Sequence, residues 1–351
     1  MRFLSWPDRL ERISKHRQFV YGFAALWVML FHFSTRIPPM GILVPLRFIQ
    51  DKGPGGVDIF VLLSGFGLYY SMKKSPTVLV FYKKRLLRVF LPSFIVMAFY
   101  NILVDESFVS YLANSTFLGY WFGYFAIWYI AFILTMYLIY PILYRMQNRN
   151  PKILYGILLC SLLLSYVCEH NWVDINILRG VSRIPIFIVG CILAPAFEKN
   201  RKIPAWVFPA ALITSVLFTV FENIAWAERY YYFYHSFLYF SYSVALVLVM
   251  VFFAEWITRR KSMHWIYQFM AFCGMLSLEF YLLYERCCFV FDYLPGFESD
   301  PFSFIKVDLA AIVCTFVLSV VLQRLTKLLI TAYESVIVPL PDTDKAMAEK
   351  K

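Results

Sequence analysis

GGVDIFVLLSGFGLYYSM, residues 55–72, runs for eighteen residues with one charged side chain, Asp58, and is followed at once by Lys73 and Lys74. A bilayer core about 30 Å thick is crossed by roughly 20 mostly apolar residues in a helix, so this stretch reads as a membrane-spanning helix with a basic end. Nine more stretches fit the same ruler, at 18–36, 88–104, 123–144, 153–169, 182–197, 204–221, 236–257, 265–290 and 304–330. Segment 107–122 is aromatic but interrupted by Asn114, Ser115 and Gly119, which predicts an external or re-entrant connection. The fold class expected is an all-α integral membrane protein of about ten transmembrane helices.

Composition supports that reading. Of 351 residues 61% are hydrophobic and only 16% charged, and mean hydropathy is +0.64. Soluble domains are nearer half apolar and a quarter charged. A soluble multidomain protein, a disordered chain, a disulfide-stapled scaffold and a nucleic-acid-binding domain are all excluded. The first apolar run follows seventeen polar-rich residues and is too long for the core of a signal peptide, so no cleavable leader is expected. Seven scattered cysteines form no zinc-like spacing or disulfide framework, and they read as small apolar packing residues. Residues 1–338 are expected to form a single polytopic domain, followed by a short, charged, disordered tail at 339–351.

The net charge of +11 is explained by topology. Lys and Arg concentrate on the cytoplasmic side of membrane proteins. Counting in alternate loops places 25 of the 33 basic residues in one set. The other eight are Arg36, Arg47, Lys52, Arg179, Arg183, Arg229, Arg286 and Lys306. Both termini are therefore expected in the cytoplasm, with an even number of spans and no nucleic-acid partner.

Ionisable groups inside a bilayer are costly and are candidates for function. Three lie within the expected spans: His32, Asp58 and Glu279. The first span runs outward and the second inward, so His32 and Asp58 reach a similar depth near the external side. A carboxylate bonded to one imidazole nitrogen fixes the tautomer and frees the other nitrogen as a base. The plainer alternative is a His capping a carbonyl and an Asp capping a helix start. Glu279, within GMLSLEFYLLYE, would partner an arginine, line a polar cavity or be merely hydrogen-bonded. Gly65 and Gly67 suit close helix packing, while Ser64 beside them stays open. In FYKKRLLRVFLPSF, Arg85 and Arg88 share a helix face. Such residues commonly serve topology and lipid headgroups, yet two guanidiniums together could also clamp a phosphorylated cofactor.

Taken together, GFAALWVMLFHF (22–33), GGVDIFVLLSGFGLYY (55–70), KKRLLRVFLPSF (83–94), IWYIAFILTMYLIYPIL (127–143), RIPIFIVGCIL (183–193) and GMLSLEFYLL (274–283) resemble membrane-bound acyltransferase family 3. These are the bacterial O-acyltransferases of cell-surface carbohydrates. The resemblance covers most of the chain in the family's order, and the first three segments together are specific. It implies a multi-pass protein of the bacterial cytoplasmic (inner) membrane. It also implies transfer of an acyl group, acetyl foremost, from cytoplasmic acyl-CoA to a hydroxyl of a glycan or lipid-linked sugar. The family's catalytic histidine corresponds to His32, its Gly-Val-Asp-x-Phe aspartate to Asp58, its Ser-Gly-Phe to Ser64, Gly65 and Phe66, and its arginine pair to Arg85 and Arg88. No metal is implied. Three positions depart from the family pattern. Tyr21 stands where an arginine is usual, Gln18 where an aspartate is common, and Tyr284 where a histidine often follows. Arg17 lies one turn from Tyr21 on the same helix face and is the candidate replacement for that arginine in holding the donor.

The mechanism expected from this set has Arg85, Arg88 and Arg17 holding the nucleotide end of the donor. His32 is the general base, Asp58 its orienting partner, and Ser64 and Glu279 serve in an oxyanion hole or as pore lining. A covalent acyl-enzyme stage is equally compatible. The rival class is a proton-coupled transporter or flippase using His32, Asp58 and Glu279 as a relay. Such folds carry repeated halves, and no such symmetry is visible. A third reading is a structural assembly factor, which needs none of these charges. The aromatic loops at 118–125 and 226–235 suit either sugar stacking or an interfacial belt.

Overall fold

The computed structural model describes residues 10–33, 37–38, 40–103, 107–122, 127–198, 202–292 and 303–336. The tail expected at 339–351 lies outside them. Among the described residues the regular elements are all helical. In chain order they are α1 (Leu10–Lys15), α2 (Arg17–Phe31), α3 (Val44–Asp51), α4 (Gly55–Lys73), α5 (Val78–Leu103) and α6 (Phe108–Ser115). Next come α7 (Trp128–Arg149), α8 (Ile153–His170), α9 (Ile175–Val181), α10 (Ile184–Glu198) and α11 (Val207–Val220). The last are α12 (Ala225–Arg229), α13 (Tyr231–Thr258), α14 (His264–Met275), α15 (Ser277–Asp292) and α16 (Ser303–Val336).

Each of the ten apolar stretches holds helix, but not always one continuous span. Seven helical stretches are long and apolar enough to cross a membrane, and α14 with α15 makes an eighth if that pair counts as one. The pair is bent by 75° at its break, where a single helix over 265–290 was expected. The other two expected spans fall on α2 and α11, which at 15 and 14 residues are shorter apolar helices. These rise only about 22 and 21 Å. Segment 107–122 carries the short α6 and a turn of 3₁₀ helix, in keeping with a connection.

Helix ends that meet in space define two faces. On the first, Lys73 pairs with Glu198 at the end of α10, Arg12 with Glu255 near the end of α13, and Lys83 lies 4.8 Å from the Tyr333 ring. This is the basic face. On the opposite face Lys52 pairs with Glu222. There Glu169, at the end of α8, accepts the Tyr232 and Phe233 amides at 2.8 and 2.7 Å. Those N–H groups open α13 and have no partner within the helix, so the carboxylate satisfies them and complements the helix dipole.

Water cannot drive helices together inside lipid, so close backbone approach has to do it. Gly22 and Gly274 let α2 and α14 touch: a Cβ on Gly274 would sit 1.8 Å from the Gln18 carbonyl oxygen, and one on Gly22 1.9 Å from that of Met270. Gly65 and Gly190 do the same for α4 and α10, with Phe187 and Leu62 carbonyl oxygens each 2.2 Å from the missing Cβ. The packing role expected of Gly65 is thus met. Gly67 differs, because a Cβ there would meet only Arg17 Nη1, at 3.6 Å; it faces a cavity instead of a helix. The seven cysteines are free thiols.

Candidate active site

On the basic face, α2, α4, α5, α7 and α15 enclose a cavity of about 160 Å³. Arg17, Arg85 and Arg88 line it together with Ser64, Gly67, Tyr129, Tyr137 and Tyr281. The three arginines proposed from separate parts of the sequence therefore share one chamber. Arg85 donates from Nε to the Ser71 hydroxyl at 3.0 Å and stands 5.9 Å from the Tyr137 ring. Arg17 stands 5.8 Å from the Tyr21 ring. Tyr21 feels the charge of all three guanidiniums. Three like charges gathered in a half-buried chamber repel one another, and a polyanion relieves that repulsion.

On the opposite face a second cavity, of about 350 Å³, is lined by His32, Arg179, Arg183, Arg286, Glu285 and aromatic residues including Trp128, Tyr231 and Tyr239. Three of the eight basic residues in the sparse set of loops thus converge on the histidine. His32 follows the last residue of α2 and is half-buried. Gln50, fully buried, holds that end of the helix by donating from Nε2 to the Leu30 carbonyl at 3.1 Å and accepting the Ile37 amide at 3.0 Å. Trp27 donates to the Ile49 carbonyl at 2.6 Å, and Gly53 fits against the Phe31 Cβ and the Trp27 carbonyl oxygen, where any Cβ of its own would collide. Short contacts between α3 and α2 therefore fix the imidazole's position.

Asp58 is buried at 1% exposure in the first turn of α4, at the expected depth, but its ionic partner is Arg183 and not His32. Its Oδ1 lies 3.5 Å from Arg183 Nε, and its Oδ2 makes no hydrogen bond. The physical reason is the break between α9 and α10, where Arg183 is buried at 5% exposure and needs a counter-charge. Arg183 also donates to the Ser182 hydroxyl at 2.8 Å and stands over the rings of Trp128 and Tyr239 at 5.4 and 5.7 Å. The carboxylate in electrostatic contact with His32 is Glu285 of α15, which lines the same cavity and bonds Arg286 at 2.8 Å. Sequence reasoning passed over Glu285. Its signal was a glutamate six residues after Glu279, in the same quoted segment and nearer the depth of His32.

Of the roles expected for Glu279, the structure favours an arginine neighbour over cavity lining. It sits in the first turn of α15, just beyond the break, buried and near the charges of Arg88 and Lys327, behind the cavity walls and not on them. Ser64 lines the basic-face cavity, beside the Tyr129 phenol, and not the chamber of His32. Tyr284 donates to Asp308 Oδ1 at 3.4 Å, and its ring is tilted against that of Phe33 with centroids 5.8 Å apart.

The two chambers meet at an aromatic constriction. Tyr281 lines both, and also a small gap between them that His32, Phe60 and Glu285 share. Its ring lies 5.1 Å from that of Tyr129, which is 6.3 Å from Phe60; Phe60 in turn is 5.5 Å from Tyr21. Arg17 and His32 are fifteen residues apart along α2, about 22 Å of rise. Among the described residues, no group of three or more His, Cys, Asp or Glu side chains could hold a metal ion.

A bundle of apolar helices with an arginine-lined chamber on one side and a histidine-lined chamber on the other defines a membrane-embedded protein with two neighbouring internal chambers. The profile of the acyltransferase domain family matches residues 20–324, and the chain belongs to that family, acyltransferase family 3. No curated protein and no solved structure matches it.

Proposed function

We propose that this membrane acyltransferase moves an acyl group from cytoplasmic acyl-CoA, acetyl-CoA foremost, to a hydroxyl of a cell-surface glycan in the bacterial inner membrane. The observation that carries the reading is the meeting of the arginine chamber and the His32 chamber at Tyr281. The basic face is the cytoplasmic one. Arg17, Arg85 and Arg88 bind the phosphates of the donor, where guanidinium forks suit phosphate oxygens. The thin arm of the donor follows α2 past Ser64 and the aromatic constriction, bringing the thioester to His32.

His32 then acts as general base, a role that contributes a factor of roughly 10²–10⁴. It takes the proton as the acceptor oxygen attacks the thioester carbonyl carbon. The carbon–sulfur bond breaks, and the leaving thiolate takes the proton back from the imidazolium, giving free CoA thiol and an ester. Glu285 stabilises the transient imidazolium. Asp58 acts one step back, by holding Arg183 in the wall of the acceptor chamber. Aromatic side chains around that chamber offer faces for sugar rings.

Mass spectrometry of envelope glycans tests the reading, comparing strains with the gene, without it, and with His32→Ala. An acyl mass present only with the intact gene is expected. Slow hydrolysis of acyl-CoA by the purified protein separates this reading from a transporter, which has no reason to cleave a thioester. Glycans unchanged in all three strains, with no hydrolysis, would overturn it.

A further inference from the structure

A third cavity opens sideways. Between α5, α15 and α16 lies an apolar groove of about 380 Å³, walled by residues such as Phe99, Leu103, Cys287, Leu318, Val321 and Leu325. Several of these are exposed on the bundle's outer surface: Phe99 at 66%, Leu103 at 70% and Val321 at 54%. Such a surface faces lipid in a membrane protein. The groove has one charged lining residue, Arg286, and Arg286 also lines the His32 chamber. A single guanidinium thus lines both a lipid-facing slot and the chamber of the proposed base.

We propose that this groove seats the hydrocarbon tail of a lipid-anchored acceptor, with the phosphate of that lipid on Arg286 and its sugar in the His32 chamber. The proposal rests on reading the His32 chamber as the acceptor site and specifies which acceptors reach it: phosphate-linked glycolipids that enter from the side, out of the bilayer.

Three observations select this occupant. The first is charge: a chamber and groove joined at an arginine suit a ligand that is anionic at the joint and apolar beyond it. Arg286 is 8% exposed, and among the described residues its hydrogen-bonded partner is its chain neighbour Glu285, at 2.8 Å. A guanidinium has five N–H donors, so most of its bonding capacity is left for a phosphate. The second is depth. Arg286 lies six residues before the end of α15, about 9 Å of rise, and the groove continues from Cys314 to Leu325 along α16, about 16 Å toward the basic face. A lipid of the leaflet opposite the basic face, with its head at Arg286 and its tail running toward mid-bilayer, has this polarity. The third is connectivity. Arg286 lines both the groove and the His32 chamber, so a ligand held on its guanidinium has apolar surface on one side and the histidine on the other.

The test uses farnesyl phosphate as probe, with farnesol and inorganic phosphate as its two halves, and native mass spectrometry of the full-length protein. Wild type is expected to retain farnesyl phosphate and to retain each half at least about tenfold less at the same concentration, farnesol because it loses the charge-assisted bond and inorganic phosphate because it loses the buried tail. Arg286→Gln should lower retention about tenfold and Arg286→Lys restore most of it. Leu318→Trp fills the groove and should abolish retention; Val321→Trp, on the same helix, serves if that variant fails to fold. Equal binding of farnesol would mean ordinary lipid contact, and equal binding of inorganic phosphate a soluble anion site; either result overturns the proposal. So does unchanged binding in both groove-filled variants. Acyl-CoA hydrolysis by wild type and His32→Ala is measured alongside. Hydrolysis without the binding pattern sinks the groove alone, whereas the binding pattern without His32-dependent hydrolysis sinks the acyl-transfer reading alone.

Discussion

Replacing Asp58 by Asn removes one charge from a buried pair and leaves Arg183 uncompensated. With Asp58 Oδ1 3.5 Å from Arg183 Nε, Coulomb's law at an effective dielectric of about 20 gives an attraction of about 5 kcal/mol. Breaking such a pair from one side typically costs 3–5 kcal/mol, because the orphaned charge stays buried. The Ser182 hydroxyl and the Trp128 and Tyr239 rings remain to support the guanidinium, so the lower end, about 3 kcal/mol, is expected. Arg183→Met should cost a similar amount for the same reason. The double variant should cost far less than the sum, since removing both charges of a buried pair is often close to neutral. The assay is reversible unfolding of the reconstituted protein in a double-mutant cycle, where a coupling of about 3 kcal/mol is well above the usual error of additivity. If Asp58→Asn unfolds like wild type yet loses acyl transfer completely, the carboxylate acts on the chemistry, as the sequence first suggests, and the pairing with Arg183 is incidental. Simply additive losses would refute the pairing as well.

Three further outcomes follow from the packing. Gly274→Ala puts a methyl group 1.8 Å from the Gln18 carbonyl oxygen and should destabilise by at least 1–3 kcal/mol as α2 and α14 are forced apart, whereas Gly156→Ala, with nothing within 4 Å, should stabilise α8 by up to about 1 kcal/mol; thermal unfolding of both variants checks the contrast. Glu169→Ala strips the first turn of α13 of two charge-assisted hydrogen bonds and should cost about 1.5–3 kcal/mol, with raised amide hydrogen exchange at Tyr232 and Phe233 as its local signature. His16, just before α2, is held at a pKa of about 4, below its ordinary 6.5, by burial and then by the charges of Lys15 and Arg12. The unfolded chain therefore binds a proton that the folded chain refuses, so stability falls as pH drops from 6.5 toward 4. His16→Gln should reduce the difference in unfolding temperature between pH 7 and pH 5.

The helical class was legible because an unbroken apolar run is a strong, local signal. The three arginines of the basic-face cavity were legible as candidates because each sits at a span end beside a recognisable segment. What escaped the sequence is mostly non-local. Asp58 finds Arg183, 125 positions away, because a break between α9 and α10 points a buried cation at it, and neither residue's own segment records that encounter. Glu285 was overshadowed by Glu279, which appears central in a run of apolar residues until the helix is seen to bend at Leu276. No proline marks that bend, so the run read as one straight span. Gly65 and Gly67 illustrate the same limit in miniature: identical residues two positions apart point to different sides of α4, one against α10 and one into the arginine chamber.

The aromatic constriction of Phe60, Tyr129 and Tyr281 has an electrical consequence. With water filling the arginine-lined chambers, the voltage of an energised membrane would fall mainly across the thin septum of rings and much less across the full hydrocarbon thickness. An ion forced through it would meet nearly the whole difference, about 2.3 kcal/mol per elementary charge for each 100 mV. A thioester is neutral and crosses without feeling that field. On the proposed acyl-transfer reading, the rings that pass a neutral acyl group would at the same time oppose the leak of protons down their gradient.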